Sequence, residues 1–235
     1  MADKQVIYNG NTKKLLNADS ENHLVLEFKD SESVFDGEKK AKFKKKGASR
    51  LAITQAIFEY LDSYNIPTHW DSVVSDTMIR VKNLQMLPLK VLIRNIAAGT
   101  LCERFNLEAG TPLKYPILEY YLKDKKLEDP IISESHAYAF GHCTPEEMKH
   151  ISRLSSKVNA VLKAFMERRK LKLVDYQLEF GRSQKQLFLA DEITPDNARL
   201  WHIDETGNLK PNYFRFANSK AESSYNEILE RLTGK

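Results

Sequence analysis

The chain has 235 residues, 42% of them hydrophobic and 10% aromatic, with a formal net charge of +4 and two cysteines. That is the composition of a soluble globular protein, long enough for one large domain or two lobes sharing an interface. No apolar run reaches membrane-spanning length, and Met1-Ala-Asp-Lys has no signal-peptide character. Cys102 and Cys143 lie far apart without ligand-like spacing, which argues against a zinc site or a disulfide framework. A cytoplasmic protein without membrane contact is expected. The 32 acids nearly balance the 36 bases, so nucleic acid is not the expected partner.

Residues 6–8, 13–16 and 23–28 alternate as short strands, with turns at Asn9-Gly10-Asn11 and 17–22. A strand–glycine turn–strand has the geometry of a hairpin lid over nucleotide phosphates, although a lone glycine there is more often only a turn. Phe35-Asp36-Gly37 is a turn ahead of a basic run at 39–46, which either meets anionic ligands or stands as a solvated loop. An amphipathic helix is expected over 49–64, with Ile53, Ile57, Tyr60, Leu61 and Tyr64 at helical spacing and Pro67 as its stop. Strands at 78–81 and 91–94 flank a connection, 82–88, suited to backbone hydrogen bonds with an adenine edge. A lobe boundary is expected at 87–89.

At 94–101 a strand ends in Arg94 and a small-residue turn opens a short helix at Thr100. Free N–H groups, a hydroxyl and a guanidinium together suit a phosphate monoester. The plain alternative is a tight turn with Arg94 in a structural ion pair. Strand alternation resumes over 116–125, followed by a turn at Asp129-Pro130. Thr144-Pro145-Glu146-Glu147 is a helix start with the capping-box pattern. Met148, Ile151, Leu154, Val158, Val161, Leu162 and Phe165 then form a core stripe, and 221–232 is a final amphipathic helix.

The stretch 173–201, LVDYQLEFGRSQKQLFLADEITPDNARLW, reads as two strands joined by a tight polar connection at 181–186. Strand alternation puts Leu173, Asp175, Gln177 and Glu179 on one face, and Val174, Tyr176, Leu178 and Phe180 on a core face. A loop with an odd residue count would turn Glu179 and Asp191 to the same side. Two carboxylates about 4 Å apart repel by roughly 4 kcal/mol at an effective dielectric near 20. A bound cation removes that cost, and few hard oxygen ligands completed by substrate phosphates are the magnesium pattern. An acidic, solvated hairpin paired with nearby lysines and arginines is the alternative.

Four segments then act together: FDGEKK (35–40), RNIAAGT (94–100), LVDYQLEFG (173–181) and LADEITPDNARLW (189–201). In this order the chain resembles the phosphoribosylaminoimidazole-succinocarboxamide synthase (SAICAR synthetase) family over about residues 8–201. The resemblance implies an α+β fold of two sheet lobes around an ATP cleft, related to ATP-grasp and kinase-like folds. Residues 1–87 would form a β-rich nucleotide-covering lobe, and 88–235 an α+β lobe with the substrate and metal site. It implies that ATP activates the carboxylate of carboxyaminoimidazole ribonucleotide and that L-aspartate supplies the amine. The products would be SAICAR, ADP and phosphate, formed through an acyl phosphate in a homodimeric enzyme of de novo purine biosynthesis.

By position, the resemblance implies magnesium on Glu179 and Asp191, and the substrate 5′-phosphate on Arg94, Thr100 and Arg199. Asp175 and Asp196 would face the ribose and its neighbours, with Asp36 near the imidazole. Lys13 would reach the ATP phosphates, while Lys82, Leu84 and Met86 would line the adenine pocket. Lys123 and Asp129 fall near the aspartate and phosphoryl-transfer region, and Gln177 near the carboxylate being activated. The chain departs from the family pattern at Asn11, where a second lysine is usual, and at Gln177, where a lysine is usual. Thr100 replaces a serine, and Pro211-Asn212-Tyr213-Phe214-Arg215 keeps only Phe214 and Arg215 of a basic stretch. Two rival functions remain at this point: a small-molecule kinase on the same kind of fold, and a non-catalytic nucleotide- or RNA-binding protein using the 39–46 run.

Overall fold

The computed structural model describes residues 5–184, 186–211 and 213–234, so Asn212 of the altered segment, Lys185 of the late hairpin and the opening Met1-Ala-Asp-Lys lie outside the described residues. The first sheet has five antiparallel strands. β1 (Val6–Asn9) and β2 (Lys13–Asn17) pair across the Gly10 turn, and β3 (His23–Phe28) lies beside β2. β4 (Ser33–Phe35) and β5 (Glu38–Lys40) form a separate hairpin. Its two turn residues, Asp36 and Gly37, have φ of 48° and 80°, the left-handed pair that a tight hairpin turn requires.

After α1 (Lys46–Asp62), β6 (Trp70–Ser75) and β7 (Met78–Lys82) complete the first sheet in the order β1-β2-β3-β7-β6. α1 begins earlier than its apolar stripe indicates, because its cap is not local. Asp30 accepts from the backbone N–H of Gly47 at 2.7 Å and of Lys45 at 2.8 Å. Two carboxylate oxygens from another segment thus satisfy donors that a local Ser or Asp would usually take.

The second sheet is built from β8 (Gln85–Ile96), β9 (Pro112–Leu122) after the short α2 (Thr100–Phe105), and β10 (Ile131–Ile132). α3 (Glu134–Ala139) and α4 (Pro145–Glu167) follow. β11 (Leu171–Ser183), β12 (Gln186–Ala190), β13 (Ala198–Ile203) and β14 (Leu209–Lys210) finish the sheet, and α5 (Ala221–Thr233) ends the fold. β11 is the central strand. One of its edges lies along β8, and the other is shared by β13 at its start and β12 at its end. β8 begins at Gln85, well before 91, because Pro88 sits where the β8–β11 register shifts and its missing N–H costs no ladder bond.

One face of this sheet packs against α4, whose start carries the expected reciprocal cap between Thr144 and Glu147. The core there includes Val91, Ile93, Tyr176 and Leu178 with Ile151, Leu154, Val158 and Leu162. α1 adds Ile53, Ile57, Phe58 and Leu61 to the same core, although its sequence precedes the second sheet. The chain passes between the sheets at Asn83 and Leu84. Among the described residues, no helix is long and apolar enough to cross a membrane.

Two expectations for the late hairpin are corrected. A bulge between Leu173 and Asp175 reverses the alternation, so Leu173 joins the core of Tyr176 and Leu178 while Val174 packs with Ile96, Ala98 and Trp201. The loop count is even, since Ser183 pairs with Gln186 and Glu179 with Ala190. Simple alternation would therefore send Asp191 to the opposite side from Glu179. Asp191 instead has φ of 67°, which ends the strand and redirects its side chain into the cleft.

Replacing Thr144 by Ala removes the hydroxyl that accepts from Glu147 N–H at 3.1 Å. A loss of about 1 kcal/mol in denaturant-unfolding free energy is expected, with little effect on chemistry at the distant cleft.

Candidate active site

The cleft-facing side of the second sheet carries charge in rows fixed by strand register. Arg94 of β8 stands opposite Asp175 of β11, which stands opposite Arg199 of β13. The next rows pair Leu92 with Gln177 and Lys90 with Glu179. Opposite charges directly across neighbouring strands stabilise the pairing, whereas like charges there oppose it.

Beyond Glu179 the cleft divides into an apolar slot and a polar basin. The slot, about 180 Å³, is walled by Leu15, Leu24, Leu26, Val81, Leu84 and Met86, with Lys82 at its edge. Gly181 keeps it open: a Cβ there would stand 2.8 Å from Leu84 Cβ and 3.0 Å from Met86 Sδ. The basin, about 820 Å³, receives Lys90, Asp129, Gln177 and the Gly10 turn. Lys13, Lys123, Glu179 and Asp191 line both spaces and so mark their junction.

At that junction the acidic side chains already have cationic partners. Lys13 donates to Asp191 Oδ1, and its Nζ lies 3.0 Å from Glu192 Oε2. Lys123 Nζ is 2.5 Å from Glu179 Oε2, and Gln177 Nε2 donates to Glu179 Oε1 at 3.1 Å. His69 meets the carbonyl of Asp191 at 2.9 Å, and burial pushes its pKa down to about 4. Lys90 binds Asp129. The glycine turn lacks a lysine at Asn11 but is tied down from outside, since Lys29 donates to the carbonyl of Gly10. Among the described residues, no group of three or more His, Cys, Asp or Glu side chains is arranged to enclose a metal by itself.

The expected anion-binding donors are assembled beside the same sheet but line neither the slot nor the basin. Thr100 N–H, at the start of α2, points to Asp36 Oδ2 at 3.2 Å, and the Thr100 hydroxyl donates to Asp36 Oδ1. Arg94 reaches Asp36 through Nη1 at 3.1 Å and Nη2 at 3.3 Å, while Arg199 Nη2 is 3.0 Å away. The partner these donors hold is the Asp36 carboxylate. Burial alone would raise Asp36, but the bonds from Arg94 and Thr100 outweigh it and hold its pKa near 2. Gly99 makes the approach possible, having φ of 53° and no Cβ to collide with that carboxylate. Arg94 and Arg199 also share Asp175, which burial pushes up to about 7 against their pull. Arg215 is exposed and lines a separate cavity of about 360 Å³ beside Arg199 and Lys40.

Asp196 reaches the basin, but its carboxylate is engaged from α1. Lys46 Nζ lies 2.9 Å from Oδ1, Arg50 Nε 2.5 Å from Oδ2, and Ser33 also donates to it. Lys46 and Arg50 are fully buried, whereas Lys42, Lys44 and Lys45 of the same basic region are exposed. Neither Lys46 nor Arg50 was singled out from sequence. The available signal was Arg50 itself, a charge in line with Ile53, Ile57 and Leu61 on an apolar helix face. Glu119 was missed as well. It accepts from Arg94 Nε at 3.0 Å, from Tyr121 at 3.0 Å and from Arg104.

Burial and the neighbouring Asp191 carboxylate push Glu192 up to about 6, against the attraction of Lys13. A carboxyl whose folded pKa exceeds its ordinary 4.5 contributes stability that is complete below that value and lost as pH rises through about 6. The displacement corresponds to about 2 kcal/mol. Glu192→Gln should therefore flatten the stability profile between pH 4.5 and 7, measured by urea unfolding across that range. An unchanged slope would show that Glu192 does not carry this titration.

The SAICAR synthetase family model matches residues 6–232. The chain is 38% identical over 233 residues to the phosphoribosylaminoimidazole-succinocarboxamide synthase of Clostridium kluyveri, covering 99% of each. The crystal structure of the corresponding synthase from Ehrlichia chaffeensis superposes with a TM-score of 0.89 at 34% identity, covering 98% of this chain and 99% of that one. A SAICAR synthetase in complex with ADP superposes equally well at 38% identity, covering 98% of both. The fold, the order of the four motifs and end-to-end similarity agree, and the chain belongs to the SAICAR synthetase family.

Proposed function

We propose that this chain joins L-aspartate to the carboxylate of carboxyaminoimidazole ribonucleotide, consuming ATP and giving SAICAR, ADP and phosphate, in the cytoplasm and as a homodimer. The observation that carries this reading is the junction of an apolar slot with a charged basin at Lys13, Lys123, Glu179 and Asp191. A similar protein in complex with ADP supports assigning nucleotide to the cleft. In this reading residues 1–87 cover the nucleotide and 88–235 carry the substrate and metal site. Lys82, Leu84 and Met86 border the adenine, and the Gly10 turn with Lys13 covers the phosphates.

Glu179 and Asp191 suit magnesium by donor chemistry. They offer hard carboxylate oxygens, and two ammonium groups stand there as cations. When bound, the metal would supply positive charge against the transferred phosphoryl group. The chain's own residues position the reactants. Arg94, Thr100 and Arg199 supply donors for the 5′-phosphate when it takes the place of the Asp36 carboxylate, Asp175 orients both guanidinium groups, and Asp196, held by Lys46 and Arg50, stiffens the basin wall. Gln177 can donate an amide hydrogen bond toward the reacting carboxylate.

The substrate carboxylate attacks the γ-phosphorus, the bond to ADP breaks, and an acyl phosphate forms. The neutral amine of aspartate then attacks the acyl carbon, the C–O bond to phosphate breaks, and the amine loses a proton. Both nucleophiles belong to substrates, so rate enhancement comes from positioning and electrostatics.

An ADP-release assay with carboxyaminoimidazole ribonucleotide and magnesium should depend on aspartate. Release that ignores aspartate would instead indicate a kinase. Asp191→Asn should nearly abolish turnover while circular dichroism and melting stay close to the parent's; a folded variant with most of its activity would count against the metal assignment. Gln177→Lys should alter initial rates without unfolding the protein, read as kcat and KM alongside a thermal melt.

A further inference from the structure

We propose that Lys13 and Lys123 are internal counter-ions which a divalent cation must displace, so that metal and nucleotide enter together and neither binds well alone. This rests on the metal reading above and concerns how that site is loaded. Every carboxylate at the junction already has an ammonium partner from within, Lys13 being shared by two of them. Lys13 spans Asp191 and Glu192, and Lys123 holds one oxygen of Glu179 while Gln177 holds the other. A divalent cation on Glu179 and Asp191 would sit against two ammonium groups bonded to the same carboxylates, and like charges at such range repel strongly. Metal without nucleotide would have to expel Lys123 from Glu179 and strip Lys13 of Asp191, leaving Lys13 with Glu192 alone.

Nucleotide changes that balance. Both lysines line the basin as well as the slot, and a lysine side chain is a flexible four-carbon stem with three donors. The ammonium groups can swing off the carboxylates and remain within the same cleft, where phosphate oxygens replace the partners they lost. Their two attachments allow this independently. Lys13 opens β2 on the first sheet, and Lys123 follows the last residue of β9 on the second. The metal takes the carboxylates, the phosphates take the lysines, and each exchange favours the other. Linkage then requires that nucleotide raise metal affinity by the same factor as metal raises nucleotide affinity.

The test titrates Mn²⁺, followed by its free-ion electron paramagnetic resonance signal, into the full chain with and without ADP. The parent protein should bind Mn²⁺ at least about tenfold more tightly with ADP than without it. Lys123→Gln and Lys13→Gln should each tighten nucleotide-free Mn²⁺ binding, weaken ADP binding, and shrink the coupling factor. Equal Mn²⁺ affinity with and without ADP in the parent overturns the proposal, whether or not either variant folds. So does unchanged or weaker nucleotide-free Mn²⁺ binding in both folded variants. Glu179→Gln separates the levels: if it abolishes Mn²⁺–ADP binding while the lysine variants fail to tighten Mn²⁺, the site stands and the exchange falls. If Mn²⁺ does not bind the parent even with ADP, the metal reading fails and the exchange with it.

Discussion

Carboxylates withdrawn from water beside one strand set the terms for the rest of this molecule. Asp175 is fully buried, and Glu179, Glu192 and Asp196 are nearly so. An unpartnered buried ion costs several kcal/mol even after relaxation. Each of these four meets a cation from elsewhere: Arg94 and Arg199 at Asp175, Lys123 at Glu179, Lys13 at Glu192, and Lys46 with Arg50 at Asp196. Those partners are supplied by β8, β13, the end of β9, β2 and α1. Neutralising one acidic edge therefore brings together both sheets and the first long helix. The cleft results from that requirement as much as from apolar packing on the opposite face of the sheet.

How far this was readable beforehand depends on the range of the interaction. Periodicity disclosed β1, β2, β3, α4 and α5 because each rests on its own side chains. Thr144, Pro145 and Glu147 announce a helix start within four residues. The start of α1 was not readable in the same way, since the cap is Asp30, fifteen residues or more upstream of the groups it serves. Alternation failed at Val174 because a bulge is a property of the partner strand's register. The parity argument for Glu179 and Asp191 failed in its premise, an odd loop, yet both side chains line the same cleft. The left-handed turn at Asp191 does what the loop count was expected to do.

The anion-binding end shows a second kind of limit. Arg94, Thr100 and the small residues between them announce a set of donors, and those donors are assembled. Their occupant is unpredictable from the motif alone. Asp36 comes from the tip of a two-stranded hairpin nearly sixty residues earlier, turned there by two successive left-handed residues and admitted by the bare Cα of Gly99. A carboxylate satisfies the same donors that suit a phosphate oxygen. A donor cluster in sequence thus specifies the charge it binds better than the molecule that carries it.

The two sheets are joined by contacts of different stiffness, and this bears on which parts can respond to a ligand. On one side the join is backbone. Leu189 N–H donates to Pro67 at 2.9 Å and His69 N–H to Leu189 at 2.8 Å, fixing the chain before β6 against β12. Across the cleft mouth, Lys13 reaches Asp191 and Glu192 only through its side chain. A backbone bridge moves only if the strand moves, whereas an ammonium on a flexible stem changes partner by rotation about single bonds. The slot wall near Leu189 is accordingly the fixed element, and the Gly10 hairpin is held to it by a charge. Whatever ion or phosphate competes for that charge acts directly on a contact that ties the hairpin to Asp191 and Glu192.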